Sequence, residues 1–461
     1  MNTKPRLFAL LVWFATILAG KALAAVSATE AAVLGTSLTA FGAEKTGNRD
    51  GSIPAYSGGL PASTNPPGFK KDSGRWADPY AGEKPLYSIT GQNMGRYEDK
   101  LSAMNKALLQ RFPSFRMDVY ASHRSVAFPN WVLDNTLKNA TRAKLAKSGV
   151  ALEGAYGGVP FPIPKNGHEA MWNHLLRYNG LGVYFRMRNW YVDGSGQAVN
   201  TAEERINLQI AYFDPKGDGA ELKKNGNIYQ QYAFDYVAPP QVVGNATIFQ
   251  DTMDPIQQPR RAWTYSAASR RIRLAPDFAY DTPVAGQGGV GTYDEVNLFD
   301  GALDMFDFKL LGKREMLIPY NNYALALVQA KTLLTPKHLN PDHVRWELHR
   351  VWVVEATLKP GKRHTFSKRV FYFDEDWSGA GMSDEYDHED RLVKGIFNGF
   401  QQLYDSQTPF ARTYWGYDLS SGNYLLSIHL GDPGLGLWMK PEGFSKFTYT
   451  PDALPGRGAQ R

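Results

Sequence analysis

The chain has 461 residues, a formal net charge of +6 at pH 7 and no cysteine. The lack of cysteine excludes disulfides, a cysteine nucleophile and thiolate metal sites. The weak, scattered positive charge argues against nucleic acid as a partner, although it is compatible with peripheral contact with anionic membranes. Aromatic residues make up 13% of the chain, and with 44 glycines and 28 prolines they indicate a β-rich protein with many turns.

Residues 1–24 have the three parts of a secretory signal peptide. Lys4 and Arg6 precede an apolar run that ends at Ala19, and small residues at Ala22 and Ala24 follow it. The apolar run is shorter than the ~20 residues that a membrane-spanning helix needs. We therefore predict export to the periplasm, without lipidation because the chain has no cysteine to acylate.

An extended Pro/Gly-rich segment is predicted for residues 25–90. Proline fixes φ and removes a backbone donor, so this segment cannot lie inside a sheet. Its aromatic residues favour a strap lying on the protein surface over a disordered linker: Tyr56, Phe69, Trp76 and Tyr80. The main β-rich domain is predicted to span residues 91–461, with helical insertions at 91–180 and 384–407.

Three helices are predicted from apolar residues that recur every three or four positions. The first covers Met94–Leu108, and the second follows the N-cap residue Asn166 and ends at Asn179–Gly180. The third covers Val393–Tyr404. A weaker helical pattern covers Asp134–Lys147.

Strands are predicted for most of the remaining chain, where apolar and polar residues alternate. They cover Leu181–Met187, Ile206–Tyr212, Arg261–Tyr265, Arg270–Leu274, Phe306–Leu311, Arg412–Asp418, Tyr424–His429 and Phe444–Thr450. In the hairpin of residues 261–274, Trp263 and Ile272 are expected to share one face. Successive hairpins with few helices predict a large antiparallel sheet.

The stretch from Glu347 to Asp376 is predicted to form a β-hairpin around a turn at Lys359–Lys362. Its broad apolar face carries Trp346, Leu348, Trp352, Val354, Ala356, Phe371 and Phe373. Arg350 and Arg369 interrupt this face, roughly opposite Phe371 and Trp352.

Two interpretations of this face remain open. It forms the core of a sandwich, or it lines a cavity for a hydrophobic ligand. In the second case the wall consists of Trp346, Leu348, Trp352, Val354, Phe371, Phe373 and Trp263. Arg350 and Arg369 would then hold charges at the cavity mouth, where a head group binds.

The known catalytic and cofactor motifs do not fit the chain. Gly286–Gly291 has the spacing G-x-G-x-x-G but no flanking strand and helix, and His168–Glu169 lacks the second histidine of a zinc protease. The acidic run Asp384–Asp390 is predicted to be a solvated start of the third helix. His338, His343 and His349 are predicted to be scattered surface residues. We therefore predict no cofactor, no metal and no enzyme activity.

Five collinear segments resemble one bacterial periplasmic family, domain of unknown function 1329. These segments are Ala40–Gly59, Phe115–Arg124, Glu169–Gly180, Gln258–Tyr265 and His338–His364. The family is similar in fold to the LolA/LolB lipoprotein-sorting proteins, which are unclosed antiparallel half-barrels with helices over an apolar cavity for acyl chains. The resemblance therefore implies a mainly β (α+β) fold of this type. It also implies, as partners, an RND-type exporter and an outer-membrane β-barrel protein.

The function expected from these observations is that of a periplasmic carrier for a lipid or other hydrophobic molecule, in envelope transport or sorting. Two alternatives remain. One is a non-catalytic adaptor between the exporter and the outer-membrane barrel. The other is a hydrolase of an envelope lipid or glycan that uses carboxylates or His349 and His364.

Overall fold

A computed structural model describes residues 26–275, 280–284, 287 and 289–459. The predicted signal peptide lies outside the described residues, and so do Gly286 and Gly288 of the glycine-rich motif. The fold is mainly β, as predicted.

The structure contains eighteen strands and eight α-helices in its described part. The strands are β1 Tyr87–Ile89, β2 Met117–Val119, β3 Lys144–Ala146, β4 Ala151–Glu153, β5 Gly182–Val192, β6 Ala198–Gln209, β7 Ile228–Ala238, β8 Ala246–Thr252, β9 Arg261–Ser266, β10 Arg271–Leu274, β11 Phe306–Pro319, β12 Arg345–Leu358, β13 Lys368–Asp374, β14 Gly381–Tyr386, β15 Leu392–Leu403, β16 Thr408–Asp418, β17 Tyr424–His429 and β18 Gly436–Met439. The helices are α1 Ala28–Ala31, α2 Ala103–Arg111, α3 Asn130–Arg142, α4 Gly167–Leu175, α5 Gly219–Lys224, α6 Tyr323–Leu327, α7 Ala330–Leu333 and α8 Leu454–Ala459.

Sixteen of these strands form one sheet. Its main path runs β1-β2-β12-β13-β14-β15-β16-β17-β5-β6-β7-β8-β9-β10, while β11 pairs with β12 and β18 with β5. Within the described residues β10 pairs with β9 alone, so the sheet does not close. All pairs are antiparallel except the short contact between β2 and β12. The prediction of a large, unclosed, mainly antiparallel sheet is confirmed.

The predicted third helix is wrong, because residues 392–403 form strand β15 in the middle of the sheet. It pairs with β14 on one side and β16 on the other. A central strand covered on both faces is apolar at most positions, so apolar residues also fall at helical spacing by coincidence. The predicted helical insertion at 384–407 is wrong for the same reason.

The first two acidic residues of the run before β15 are buried, whereas Glu389 and Asp390 at its end are exposed. Asp384 and Glu385 lie in β14 and are fully buried. The Asp384 carboxylate accepts hydrogen bonds from the backbone N–H groups of Ala103 (2.9 Å) and Met104 (3.0 Å), at the start of α2. The acidic residue therefore does cap a helix, but one about 280 residues away in the sequence.

The other predicted helices need smaller changes. The first is divided into a 3-10 helix at Met94–Lys100 and α2, because Ser102 caps the second piece. The second begins as predicted, with the Asn166 side chain accepting from the backbone N–H of Glu169, but it ends as α4 at Leu175 and does not reach Asn179–Gly180. The weaker helical pattern corresponds in part to α3, which ends at Arg142, whereas Lys144–Ala146 form strand β3.

The strand prediction fails at one place, near the C-terminus. Residues Lys446–Tyr449 form a short 3-10 helix instead of a strand. Together with α8 this segment covers one side of β7–β9, where a small apolar cluster lies. The cluster contains Ala233, Ala246, Ile248, Tyr449 and Leu454.

The N-terminal segment packs into the main core. Phe41, Ile53 and Trp76 are buried members of the same apolar cluster as the central strands. The Phe41 ring lies 5.1 Å from that of Phe128, and Trp76 donates its indole N–H to Asp405 at 2.7 Å. The division at residue 90 stays a prediction, although residues on both sides of it share one core.

Candidate functional site

The predicted hairpin consists of β12 and β13. Trp352 pairs with Phe373, and Val354 pairs with Phe371. Paired residues of an antiparallel sheet point to the same side, so these four side chains share one face, as predicted.

Arg369 does not lie at a cavity mouth. The hairpin loop is longer than predicted, so Arg369 faces Ala356 and not Trp352. Its side chain is fully buried and donates to Asp294 at 2.7 Å and to Glu385 at 2.9 Å. The guanidinium is therefore bound within the protein and offers no charge to a ligand.

Arg350 is also bound within an ion-pair cluster. It lies past the end of β13 rather than opposite Phe371, and its guanidinium donates to Glu375 at 3.2 Å. A second hydrogen bond goes to the carbonyl of Thr46 in the N-terminal segment, at 3.1 Å. Arg350 thus ties that segment to the sheet.

Five of the predicted wall residues are buried in the core: Trp346, Leu348, Val354, Phe371 and Phe373. The Trp346 ring packs edge-on against Phe397, and Phe373 stacks on His174 with ring centroids 4.4 Å apart. Trp352 is half-buried beneath the ammonium of Lys313. This packing matches the core interpretation of the hairpin face, and a ligand-binding role for these side chains stays a prediction.

Trp263 lies elsewhere in the molecule. It pairs with Ile248 of β8 and Leu274 of β10, so it shares a face with Ile272, as predicted. Its half-buried ring packs against the apolar cluster beneath α8. The structure therefore does not bring Trp263 together with the β12–β13 face.

The histidine predicted to be a surface residue in β12, His349, is buried between carboxylates. Its ring nitrogens lie 3.3 Å from Glu347 and 3.3 Å from Asp374. Burial alone would lower the pKa of His349, but hydrogen bonds and charges from Asp374 and Glu347 raise it to about 9.

Ligand atoms of His349, Asp374 and Asp376 come within 4.8 Å of one another, as in a metal site. A metal ligand must be a neutral imidazole, so metal binding would break the ion pairs that His349 makes with Glu347 and Asp374. Asp376 is moreover held by two hydrogen bonds from Arg124, at 2.9 and 2.5 Å. The cluster therefore fits a structural ion-pair network better than a metal site.

An apolar cavity of about 70 Å³ lies on one side of β5–β8. Neighbouring strands supply its walls because Phe185 pairs with Ile206, Ile206 with Phe234, and Tyr232 with Phe249. Residues of the segment 280–300 and of β16 and β17 complete the lining. They are Val284, Gln287, Tyr293, Val296, Asp300, Tyr414, Ser427 and Ile428.

One carboxyl group, that of Glu204, lies on the apolar side of β6 within this cavity. It pairs with Met187 and Tyr236 and accepts a hydrogen bond from the Asn189 amide at 3.0 Å. Burial raises the pKa of Glu204 to about 8, and the charge of Asp235 adds to this shift. At neutral pH the group is therefore mostly an uncharged carboxylic acid.

Arg260 lies at another side of the cavity and is held by carboxylates. Its guanidinium binds both oxygens of Asp251, at 2.6 and 2.9 Å, and the carbonyl of Asp300 at 3.1 Å. The guanidinium also lies over the Phe249 ring. This geometry fixes Arg260 as part of the cavity wall.

A signal for this cavity is present in the sequence at Glu204. The residue occupies the apolar phase of an alternating strand, two positions before Ile206 and four before Leu208. A lone carboxyl in that phase must be buried with the apolar residues. The alternation of apolar and polar residues predicted the strand, whereas the position of Glu204 among the apolar residues indicates the cavity.

A larger cleft of about 760 Å³ lies between α3, the β3–β4 hairpin and residues 214–227. Much of its lining is charged: Lys138, Arg142, Glu153, Asp214, Asp218, Lys223 and Asp254. Such a lining does not suit a hydrophobic molecule. None of the predicted wall residues lines it.

None of the helices in the described residues combines the length and apolar character needed to cross a bilayer.

Two solved structures resemble the fold. One is an outer membrane lipoprotein-sorting protein domain from Vibrio parahaemolyticus, with a TM-score of 0.42, 16% identity and coverage of 63% of this chain and 98% of that chain. The other is a DUF1329 family protein from Desulfovibrio piger, with a TM-score of 0.40, 14% identity and coverage of 60% and 92%.

Sequence similarity identifies the family of the chain. The Pseudomonas aeruginosa protein named "Uncharacterized protein PA3922" is 40% identical over 449 residues, which cover 96% of this chain and 97% of the relative. The family profile described as "Protein of unknown function (DUF1329)" matches residues 88–454. The chain belongs to this family.

Proposed function

We propose that the protein binds a hydrophobic or amphiphilic molecule in the cavity on β5–β8 and carries it through the periplasm. The observation that supports this proposal is the cavity itself, where Phe185, Ile206, Phe234 and Phe249 face a space that the side chains of the described residues leave unfilled. Well-packed proteins contain few voids larger than a water molecule. The predicted signal peptide supports the periplasmic location.

A carrier of this kind has a clear physical purpose. Moving an acyl chain through water exposes it at about 0.8 kcal/mol per CH₂. A sixteen-carbon chain would therefore meet a cost on the order of 12 kcal/mol, which prevents rapid transfer. An apolar cavity removes most of that cost during transit.

The volume of the cavity limits what it holds in this conformation. At about 70 Å³ it is smaller than the roughly 300–1,000 Å³ of most ligand pockets. It accommodates one end of a chain, and a longer ligand requires the lining to move apart. The side chains of Tyr293 and Val296 come from residues 289–300, which lie outside the strands, and we propose that they move when a longer ligand binds.

Binding is tested by filling the cavity. We expect the fluorescent apolar probe N-phenyl-1-naphthylamine to bind the purified mature protein, and Ile206→Trp to weaken that binding about tenfold or more because the indole occupies the cavity. Val199→Trp is the matched control, since Val199 lies on the same strand but is exposed to solvent. Circular dichroism and urea unfolding show whether each variant is folded.

Two results would contradict the proposal. The first is the absence of probe binding together with the absence of any co-purified apolar molecule in mass spectra of an organic extract. The second is equal binding by wild type and folded Ile206→Trp. The same titration on Phe373→Leu tests the predicted role of the β12–β13 face, for which we expect no change in probe affinity.

We also propose peripheral contact with an anionic membrane through the β9–β10 hairpin. Arg270, Arg271 and Arg273 are exposed, and Leu274 exposes 60% of its surface beside them. Exposed cations beside apolar side chains suit an anionic lipid surface.

We also propose an RND-type exporter and an outer-membrane barrel as protein partners. Co-purification with the tagged protein would identify them.

The hydrolase alternative has less support. His349 lies in the ion-pair cluster described above, and His364 is buried with its ring nitrogen 3.0 Å from Asp294. Neither histidine lines the apolar cavity. A hydrolase that uses both histidines would need them in one site. Here His349 binds Glu347 and Asp374, whereas His364 binds Asp294.

A further inference from the structure

A chain of hydrogen bonds in the lining of the apolar cavity links Glu204, Asn189, Ser427 and Gln287. Which atom of each pair is the donor follows from the backbone N–H of Ile428. The backbone N–H of Ile428 donates to Oδ1 of Asn189 at 3.0 Å, which identifies that atom as the amide oxygen. The Asn189 nitrogen therefore points the other way and donates to Oε1 of Glu204 at 3.0 Å. Glu204 is an acceptor at this end of the chain.

The opposite end of the chain is also an acceptor. The Ser427 hydroxyl donates its proton to Oδ1 of Asn189 at 2.8 Å, so it must accept from Gln287, whose Nε2 lies 3.1 Å away. The same Nε2 contacts the Tyr414 hydroxyl. Oε1 of Gln287 is buried and has no hydrogen-bond partner among the described residues.

None of the described lining residues offers a free positive charge to Glu204 or to Oε1 of Gln287. Arg260 is the one basic residue among the described lining residues, and its guanidinium is bound to Asp251 and Asp300. A buried acceptor without a donor costs about 1–3 kcal/mol. A ligand that brings donors to this site would recover that energy.

One carboxylate and three tyrosines lie near the Glu204 carboxyl group: besides burial, the charge of Asp235 raises the pKa of Glu204, and the charge of Glu204 in turn raises the pKa of each tyrosine. Tyr236 extends from β7, Tyr293 from the segment 280–300 and Tyr414 from β16. Asp235 lies behind it, on the other side of β7, where Arg205 and Arg457 bind its carboxylate. The nearest groups thus supply no positive charge of their own.

We propose that the cavity recognises a hydrocarbon chain bearing an ammonium group, which donates to Glu204 and finds a second acceptor in Oε1 of Gln287. This inference rests on the proposed function, because it specifies the chemistry of the molecule that the cavity carries. An alkylamine and an amine-headed lipid share this chemistry. A carboxylate or phosphate head offers no donor to Oε1 of Gln287, and it is repelled by Glu204 once that carboxyl group ionises.

The protonation of Glu204 gives this recognition a pH dependence. In the empty cavity the raised pKa keeps the carboxyl uncharged at neutral pH, which avoids the cost of a bare buried carboxylate. An entering ammonium supplies the counter-charge, so Glu204 ionises and releases a proton. Affinity for an amine should therefore rise from pH 6 to pH 9, whereas affinity for a fatty acid should fall.

The test compares three ligands with equal chains and different heads: decylamine, decanol and decanoate, each below its aggregation concentration. Each displaces N-phenyl-1-naphthylamine from wild type, Glu204→Gln and Glu203→Gln at pH 7.5. Glu203 is the matched control because it is the adjacent buried carboxylate of β6, yet it pairs with Arg186 and Arg188 outside the cavity.

We expect wild type to bind decylamine about 10- to 100-fold more tightly than decanoate, as a charge-assisted hydrogen bond predicts. Glu204→Gln should lose this preference while keeping its affinity for decanol, and Glu203→Gln should keep the preference. The inference is overturned if wild type binds decanoate as tightly as decylamine, or if folded Glu204→Gln retains the preference.

The outcome also separates this inference from the proposed function. If decanol displaces the probe but decylamine has no advantage, the carrier proposal stands and the ammonium proposal falls. If none of the three ligands binds, both fall. If Glu204→Gln does not fold, the inference is tested on the wild-type protein alone. A decylamine affinity that does not change between pH 6 and pH 9 then overturns the inference.

Discussion

His349 is a buried, protonated histidine in strand β12. Its imidazolium lies between Glu347 and Asp374, and all three side chains are almost fully buried. The folded state holds the proton on His349 up to a pH of about 9, whereas an unfolded histidine loses it near 6.5. The folded protein therefore binds an extra proton between these two pH values.

The stability of the protein should consequently decrease as pH rises from 6.5 to 9. Because the pKa of His349 is raised in the folded state, its contribution is complete below pH 6.5 and is lost as pH approaches 9. We expect the free energy of unfolding in urea to fall by on the order of 3 kcal/mol over this range.

His349→Gln should have a flatter pH profile than wild type. Glu204, whose pKa is also raised, lowers stability in the same direction, so part of the decrease should remain in the variant. An identical decrease in both proteins would show that His349 is not protonated in the folded state.

Arg369 illustrates a limit of sequence reading at this scale. Its alternation with Phe371 and Phe373 correctly places it on the apolar face of β13. The carboxylates that neutralise it, Asp294 and Glu385, come from two different segments. The sequence alone does not show these partners, so a charged residue on the apolar face of β13 was expected at the mouth of a cavity, in contact with water. This expectation is wrong.

At the scale of elements, a local capping signal identifies the start of a helix better than periodicity identifies a strand in the interior. Helix α4 begins where its Asn166 cap predicts, because the cap satisfies backbone groups within the same turn, whereas it ends at Leu175, before the predicted Asn179–Gly180. Strand β15 has no such local signal. Its hydrogen bonds go to β14 and β16, and its apolar residues are compatible with either period.

The β9–β10 hairpin provides a prediction at this scale. Arg271→Glu with Arg273→Glu should abolish most binding of the protein to vesicles of phosphatidylglycerol and phosphatidylcholine, since each basic residue near an anionic surface contributes about 1 kcal/mol. Co-sedimentation with vesicles at low salt measures the binding. Lys223→Glu with Lys224→Glu in α5 is the control, with equal charge change at a different surface.

The salt dependence checks the same idea. Binding of wild type to these vesicles should weaken at 0.5 M salt, where the Debye length is a few ångströms. If the two double variants lose binding equally, net charge rather than the hairpin determines membrane contact. Undiminished binding of the hairpin variant would contradict the proposal directly.

For the whole molecule, the N-terminal segment matters because it closes part of the core. Phe41 is buried against Phe128 and Tyr56. We expect Phe41→Ala to lower the free energy of unfolding by about 3–5 kcal/mol, as for other buried aromatic residues. The exposed Phe447 is the control, and its replacement by alanine should cost less than about 0.5 kcal/mol.

Urea denaturation followed by tryptophan fluorescence measures both changes. Equal, small effects would mean that the N-terminal segment does not unfold together with the sheet. A large effect of Phe41→Ala alone would show that the segment is part of the cooperative unit, despite its lack of regular secondary structure.

The sequence by itself determined the class of fold, most strand positions, helix α4, the face shared by Trp352, Val354, Phe371 and Phe373, and the family. These features depend on local periodicity, caps and collinear motifs, which neighbouring residues specify. The tertiary structure alone decided that this face is packed and that the cavity lies on β5–β8. Packing depends on which distant segments meet: the cavity lining extends from Phe185 to Ile428, and no local pattern records that those residues converge.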